Sequence, residues 1–276
     1  MDTQSAPANQ DISAQLLDEL YELALRVATG AAALLSSYAT KQLEHVETKS
    51  SPTDLVSEAD RASEHFIGAE LSKARPDDSV LGEEGTSRQG GSGVEWVADP
   101  LDGTTNFFFG VPAWSVSLAA KAGGQPVVGV VVDPSRQETW SAAAGRGAWC
   151  NGSRCHVAEG RSELSTALVA TGFGYKRERR AEQAAVLPRL LPAVRDIRRV
   201  GSAALDLCWV AAGRYDAFYE ANLNEWDWAA GALLCLEAGG TITRLDGEIL
   251  LASTPSLSQP LAELISAARK GASSAE

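Results

Sequence analysis

The stretch VEWVADPLDGTTNF, residues 94–107, couples an apolar run to two carboxylates, Asp99 and Asp102, set around a Pro-Leu pair. The run VEWVA has the length and composition of a short strand. Pro100 has no N–H to give to a ladder, so the strand is expected to end at Asp99. Gly103 admits a backbone conformation, and a close approach by another group, that a Cβ would obstruct. The amides of Gly103, Thr104 and Thr105 then open a helical turn and face outward as a small anion cradle. One loop thus offers carboxylate oxygens on one side and N–H donors on the other.

Working upstream, SVLGEEG (79–85) reads as a second short strand ending in acids, Glu83 and Glu84, joined to VEWVA by the loop TSRQGGSG. Before it, KSSPTDLVSEAD (49–60) is turn-rich until Ser57, where the capping-box variant SEAD starts a helix that runs to Arg75-Pro76. A first helix is predicted over Ile12–Tyr38, with Leu16, Leu20, Leu23, Val27 and Leu34 near one face. Downstream, WSVSLAAKA and PVVGVVVD are β-like runs split by Gly-Gly, and ETWSAAAG and GAWCNG extend the sheet with a hairpin signal at Asn151-Gly152.

The second half alternates. Strand ALVATGF, a helix over Arg179–Leu190 and strand IRRVG are followed by helix SAALDLCWVAAG, strand YDAFYE, helix EWDWAAGALLCLEAGG, strand TITRL and a last helix over Pro260–Lys270. Gly213 and Gly239 suit helix C-caps. The alternation argues α/β layers. There is no internal repeat and no long linker, so residues 1–276 are expected to form a single domain whose first ~10 residues are a loose end.

Composition narrows the function. With 276 residues, 45% of them apolar and 22% charged, the chain is globular with material for a sizeable core. A net charge of -12 gives it no field to attract nucleic acid or an anionic membrane. The acidic, polar start MDTQSAPANQD does not read as a signal peptide, and VATGAAALLSSYAT is too short to be expected to span a bilayer. The four cysteines form no CxxC pair and read as reduced thiols, as in a cytoplasmic protein.

Acids cluster at element ends: Asp60 in the first turn of a helix, Glu83-Glu84 and Asp99/Asp102 after strands, and Asp227 opening a helix. Asp60 or Asp227 alone reads as a complement to a helix dipole, and Glu83-Glu84 alone as a solvated turn. The loop at 99–105 is different, because a Mg²⁺ ion bridging carboxylates and a substrate phosphate fits its two-sided chemistry. Such an ion also supplies the positive field that an anionic substrate needs in so acidic a chain.

WVADPLDGTTNF resembles the first signature of the inositol monophosphatase family, the lithium-sensitive, Mg²⁺-dependent sugar phosphatases. WDWAAGALLCLEAGG, from Trp226, resembles its second signature, and KSSPTDLVSEAD and LGEEG match the remaining metal-site segments in order. The resemblance covers about Leu17 to Lys270 and is to the bacterial inositol-1-monophosphatase type. It implies a layered α-β-α-β-α sandwich with mixed sheets, a cytoplasmic homodimer and two to three Mg²⁺ ions per site. It implies that Glu83, Asp99 and the Leu101 carbonyl hold one ion, that Asp99, Asp102 and Asp227 hold a second, and that Glu83 touches a third. Asp60 and Thr104 become a proton-accepting pair for the attacking water, with Glu83 also catalytic. Gly103 and Thr104 cradle the phosphate, and Glu84 and Lys49 stand behind the ligands.

The resemblance also selects a substrate. Glu220, Ala203 and Asp102 match positions that contact ring hydroxyls, which favours inositol 1-phosphate. Fructose 1,6-bisphosphate, histidinol phosphate, a 3′-phosphoadenosine nucleotide and NADP share the chemistry and stay open, as does a regulatory family member that binds protein or RNA. Lys176, Arg177, Arg179 and Arg180 are either contacts for a second phosphate or a solvated helix start. With three histidines, none in a motif, phosphohistidine and Ser-His-Asp schemes are disfavoured.

Overall fold

The computed structural model of the chain describes residues 2–4, 12–39, 46–48 and 55–273. In chain order its elements begin with β1 (Asp2–Gln4), α1 (Ala14–Ala39), β2 (Val46–Thr48), β3 (Leu55–Ser57) and α2 (Glu58–Ala74). Next come β4 (Ser79–Gly82), β5 (Ser87–Arg88), β6 (Val94–Asp102), α3 (Thr104–Phe108) and β7 (Ser115–Ala122). Then follow β8 (Gln125–Asp133), β9 (Glu138–Ala143), β10 (Ala148–Cys150), β11 (Ser153–Arg154) and β12 (Leu168–Thr171). The remainder holds α4 (Arg177–Ala184), α5 (Leu187–Leu190), β13 (Asp196–Arg198), α6 (Ala203–Ala211) and β14 (Ala217–Ala221). It closes with α7 (Glu225–Glu237), β15 (Thr241–Leu245), β16 (Ile249–Ser253) and α8 (Pro255–Ser273).

Two mixed sheets carry the fold. An eight-stranded sheet has the order β11-β10-β9-β8-β7-β6-β4-β5, and a six-stranded sheet the order β1-β15-β16-β14-β12-β13. Most pairs are antiparallel, but β4 runs parallel to β6, and β12 runs parallel to β13 and β14. Strand periodicity sorts the side chains into three cores. Trp96, Ala98, Val116 and Leu118 pack under α1 and α2, while Val97 and Ala119 point to the other face, against α6 and α7. In the second sheet Phe218, Leu250 and Ala252 face α6 and α7 from the opposite side, while Ala217, Tyr219 and Leu251 turn outward onto α5 and α8. The result is the expected five layers, α-β-α-β-α, with α6 and α7 sandwiched between the sheets.

Several expectations need correction. The strand through VEWVA does not stop at Asp99: β6 continues to Asp102, with a register shift between those two residues. Proline removes a ladder donor, and a bulge absorbs that loss without ending the strand. The helix over Arg179–Leu190 is two, α4 and α5, because Pro188 has no N–H to bond the carbonyl a turn earlier. The last helix begins at Pro255, since its buried stripe Leu257, Leu261, Ile265 starts before Pro260. Strand β16 adds to the expected elements, and Asp246-Gly247 (φ 51° and 75°) is the hairpin turn that announces it. Of the expected loose N-terminus, Asp2–Gln4 pair antiparallel with β15, and the rest lies outside the described residues.

Candidate active site

The bulge in β6 explains how Asp99 and Asp102 reach the same place. Side chains alternate along a strand, so residues three apart point to opposite faces. Asp99 pairs with Ser117 and Asp102 with Ser115, so β6 spends one extra residue there and both carboxylates emerge into one cleft. The turn is locally pinned. The Asp99 Oδ1 accepts the Leu101 N–H at 3.0 Å, and Ser63 donates to the Pro100 carbonyl at 2.8 Å. The single hydroxyl proton of Thr104 has two acceptors, the Leu101 carbonyl at 3.0 Å and Asp60 Oδ2 at 3.3 Å.

Gly103 is at φ 91°, and a Cβ there would lie 2.9 Å from the Ala113 carbonyl oxygen. Both the dihedral and the space demand glycine. Gly103→Ala is expected to cost about 1–3 kcal/mol of stability from the strained conformation, read as a lower denaturation midpoint.

Neighbouring elements bring the other acids. Parallel pairing sets Gly82 beside Ala98, which places Glu83 level with Asp99. Asp227 sits in the first turn of α7 and accepts the Asn224 N–H at 2.6 Å. The Asp102 Oδ2 accepts from the Ser202 hydroxyl at 2.5 Å and from the Ala204 N–H at 2.8 Å, fastening β6 to the start of α6. Glu220 leaves the end of β14, and its Oε2 occupies space that a Cβ on Gly172 would enter at 1.9 Å.

These side chains line one cleft of about 280 Å³, together with Leu101, Gly103, Thr104 and Ala203. Tyr175, Lys176, Arg179 and Arg199 form part of its wall. Asp60 is fully buried behind Thr104 and joins the site through it. Glu84 does not line the cleft, its backbone N–H is given to Glu64 at 2.9 Å, and Lys49 lies outside the described residues. Arg177 and Arg180 do not line the cleft, and Arg180 donates to the Tyr175 carbonyl at 2.6 Å.

The acids repel one another. Burial, then the charges of Glu83, Asp102, Asp227 and Asp60, hold the Asp99 carboxyl well above the usual range. Burial, then Asp102 and Glu83, does the same to Asp227. Burial lifts Asp102 to about 6 against the pull of Ser202 and Ala204, and lifts Glu220 to about 8 with Asp102 adding to the rise. Among the described residues no three acid, histidine or cysteine side chains stand close enough to form a finished metal cage. Yet the donor set is all oxygen, and drawing it together requires positive charge. Glu83, Asp99, Asp102, Asp227 and the Leu101 carbonyl therefore suit a hard divalent cation.

A pH dependence follows. A carboxyl whose folded pKa lies above its unfolded value binds more protons folded than unfolded, so stability falls as pH rises between the two values. For Glu220 that window runs from the ordinary glutamate value of 4.5 to about 8, and for Asp102 from 3.8 to about 6. In EDTA the melting temperature is expected to fall steadily from pH 5 to pH 9. Glu220→Gln should flatten the upper part of that slope.

Sequence reasoning missed two residues of the frame. Ser202 has a local signal, since its hydroxyl also caps α6 by accepting the Leu205 N–H at 3.3 Å. Asn106 has none: its amide bridges the Ala113 and Val200 carbonyls at 2.7 and 2.9 Å, a tie visible only in three dimensions.

A five-layered fold with this carboxylate cleft is that of a phosphoric monoester hydrolase, and comparison with known proteins names the group. The sequence profile of the inositol monophosphatase family matches residues 16–273, and the chain belongs to that family. It is 48% identical over 205 residues to an inositol-1-monophosphatase of Mycobacterium bovis, covering 71% of each chain. It is 44% identical over 238 residues to a protein of Pseudomonas aeruginosa named Nus factor SuhB, covering 84% of this chain and 87% of that one. Among solved structures, the IMPase of Thermotoga maritima superposes with a TM-score of 0.83 at 31% identity, over 91% of this chain and 98% of its own. The suhB protein of Bartonella henselae does so at 0.84 and 37%, over 88% and 97%. No helix among the described residues is long and apolar enough to cross a membrane.

Proposed function

We propose that this chain is a Mg²⁺-dependent phosphatase of cyclitol or sugar phosphate monoesters, with inositol 1-phosphate as its preferred substrate. The observation that carries the reading is the meeting of Glu83, Asp99, Asp102 and Asp227 in one cleft, each on a different loop or on opposite sides of the β6 bulge. Glu83, Asp99 and the Leu101 carbonyl would hold one ion, Asp99, Asp102 and Asp227 a second, and Glu83 would reach a third. When bound, Mg²⁺ offsets the charge of the phosphate and lowers the pKa of coordinated water.

The chain's own groups do the rest. The Gly103 and Thr104 amides face the phosphate oxygens. Thr104 takes a proton from the attacking water as its own passes to Asp60, the acceptor 3.3 Å away. Asp102, Ala203 and Glu220 meet the ring hydroxyls, and the close fit of Glu220 against Gly172 fixes where its carboxylate can reach. Water attacks in line with no phosphoenzyme, so a chiral labelled phosphate should invert.

The deciding experiment is phosphate release in Mg²⁺ from inositol 1-phosphate, fructose 1,6-bisphosphate, histidinol phosphate, a 3′-phosphoadenosine nucleotide and NADP. Highest kcat/KM is expected for inositol 1-phosphate, and no release from any of them sinks the reading. Above pH 8, where its carboxyl is ionised, Glu220→Gln should lower kcat/KM for inositol 1-phosphate by roughly 10- to 100-fold, the worth of a lost charge-assisted hydrogen bond or two. The same variant should leave p-nitrophenyl phosphate, which has no ring hydroxyls, nearly unchanged.

A second reading rests on the Pseudomonas aeruginosa relative named Nus factor SuhB. It gives this chain a protein partner in transcription in addition to its chemistry. The net charge of -12 opposes RNA as the direct contact. Co-purification of RNA polymerase with an Asp99→Asn variant would support it, and loss of that association at low salt would count against it.

A further inference from the structure

Helix α2 buries a stripe, Asp60, Ser63, Glu64, Ile67 and Leu71, at helical spacing. Its second half is ordinary: Ile67 and Leu71 join the core under β6. Its first half places three polar groups where the pattern calls for apolar ones, and each is buried. Burying such groups costs free energy unless they are bonded, so their partners carry the meaning.

Asp60, Ser63 and Glu64 each meet a loop of the candidate active site. Asp60 accepts from Thr104. Ser63 donates to the Pro100 carbonyl at 2.8 Å, inside the bulge between Asp99 and Asp102. One oxygen of Glu64, Oε1, accepts both the Glu84 N–H at 2.9 Å and the Thr86 N–H at 3.2 Å, closing the turn that presents Glu83. A Cβ on Gly82 would stand 2.3 Å from that oxygen, so the strand keeps glycine where Glu64 enters.

We infer that Ser63 and Glu64 are positioning residues that hold the Asp99–Asp102 bulge and the Glu83 turn in one spatial register for divalent-cation binding. The inference rests on the proposed Mg²⁺ site. It adds that the register is set by α2, through backbone atoms of two loops far apart in sequence. Like charges push those loops apart, so a clamp that touches only backbone N–H and C=O groups holds them without adding charge to the ligands themselves. Glu64 acts here as an acceptor through one oxygen, which a glutamine amide oxygen can replace.

The test is Mg²⁺ titration of the full chain by calorimetry for the wild type and for Ser63→Ala, Ser63→Thr, Glu64→Ala and Glu64→Gln. Ser63→Ala and Glu64→Ala should each weaken Mg²⁺ binding by about 10- to 100-fold, as loss of a ligand's supporting partner does. Ser63→Thr and Glu64→Gln should stay within a few-fold of the wild type. Amide hydrogen exchange should quicken at Glu84 and Thr86 in Glu64→Ala but not in Glu64→Gln. If Glu64→Ala does not fold, Ser63→Ala and Glu64→Gln carry the test. Wild-type affinity in folded Ser63→Ala, or equal damage in Glu64→Gln and Glu64→Ala, overturns the clamp and leaves the functional proposal standing. Absence of divalent-cation binding by the wild type overturns both.

Discussion

Asp99→Asn is expected to lower kcat by roughly 10³-fold or more, the several kcal/mol of a metal's contribution converted at about 1.36 kcal/mol per tenfold. Asp99 is the carboxylate that the proposal shares between two ions, so its loss weakens both. The same variant should melt at a higher temperature than the wild type in EDTA at pH 8. There, an Asp99 carboxylate buried among Glu83, Asp102, Asp227 and Asp60 is an electrostatic cost, and asparagine removes it. The turn itself should survive, because asparagine keeps the Oδ1 that accepts the Leu101 N–H. Added Mg²⁺ should reverse the order by stabilising only the wild type. A variant that turns over substrate normally, or that melts lower than the wild type in EDTA, contradicts the assignment of Asp99.

The acids of the cleft were legible because all but Asp99, which lies inside β6, stand at or beside the end of an element, and element ends are what local chemistry writes most plainly. Pro100 and Gly103 marked the loop, and Ser202 marked a helix start. What stayed hidden was non-local. Nothing local in SVLGEEG says that β4 lies parallel to β6 rather than beside β7, yet that neighbour relation sets Glu83 level with Asp99. Pro100 reads as a stop because a proline usually ends a ladder. The bulge that tolerates it is also what turns Asp102 to the side of Asp99, so the misread feature is the one that builds the site. Gly172 shows the same limit. Its need for glycine comes from Glu220, which sits across a parallel strand pairing in the other sheet. Ser63 and Glu64 take their meaning only from the fold, which gives them their partners.

Thr104→Ala and Asp60→Asn should each lower kcat by about 10²- to 10⁴-fold, the range of general-base catalysis, with Mg²⁺ affinity held within a few-fold. A threonine hydroxyl has one proton and cannot donate to Leu101 and Asp60 at once. To accept a proton from water it must pass its own to a carboxylate, and Asp60 is the buried carboxylate in reach. Asparagine in that place offers an acceptor oxygen but binds no proton at neutral pH. Thr104→Ser keeps the hydroxyl and should recover most of the activity, which separates proton transfer from packing of the threonine methyl. Because the proposed path has the two residues act on one proton, the double variant should be no slower than the slower single variant, a non-additivity that independent roles do not produce. Multiplied losses in Asp60→Asn/Thr104→Ala would mean that the two side chains serve separate purposes, and the proton path would have to be sought elsewhere in the cleft.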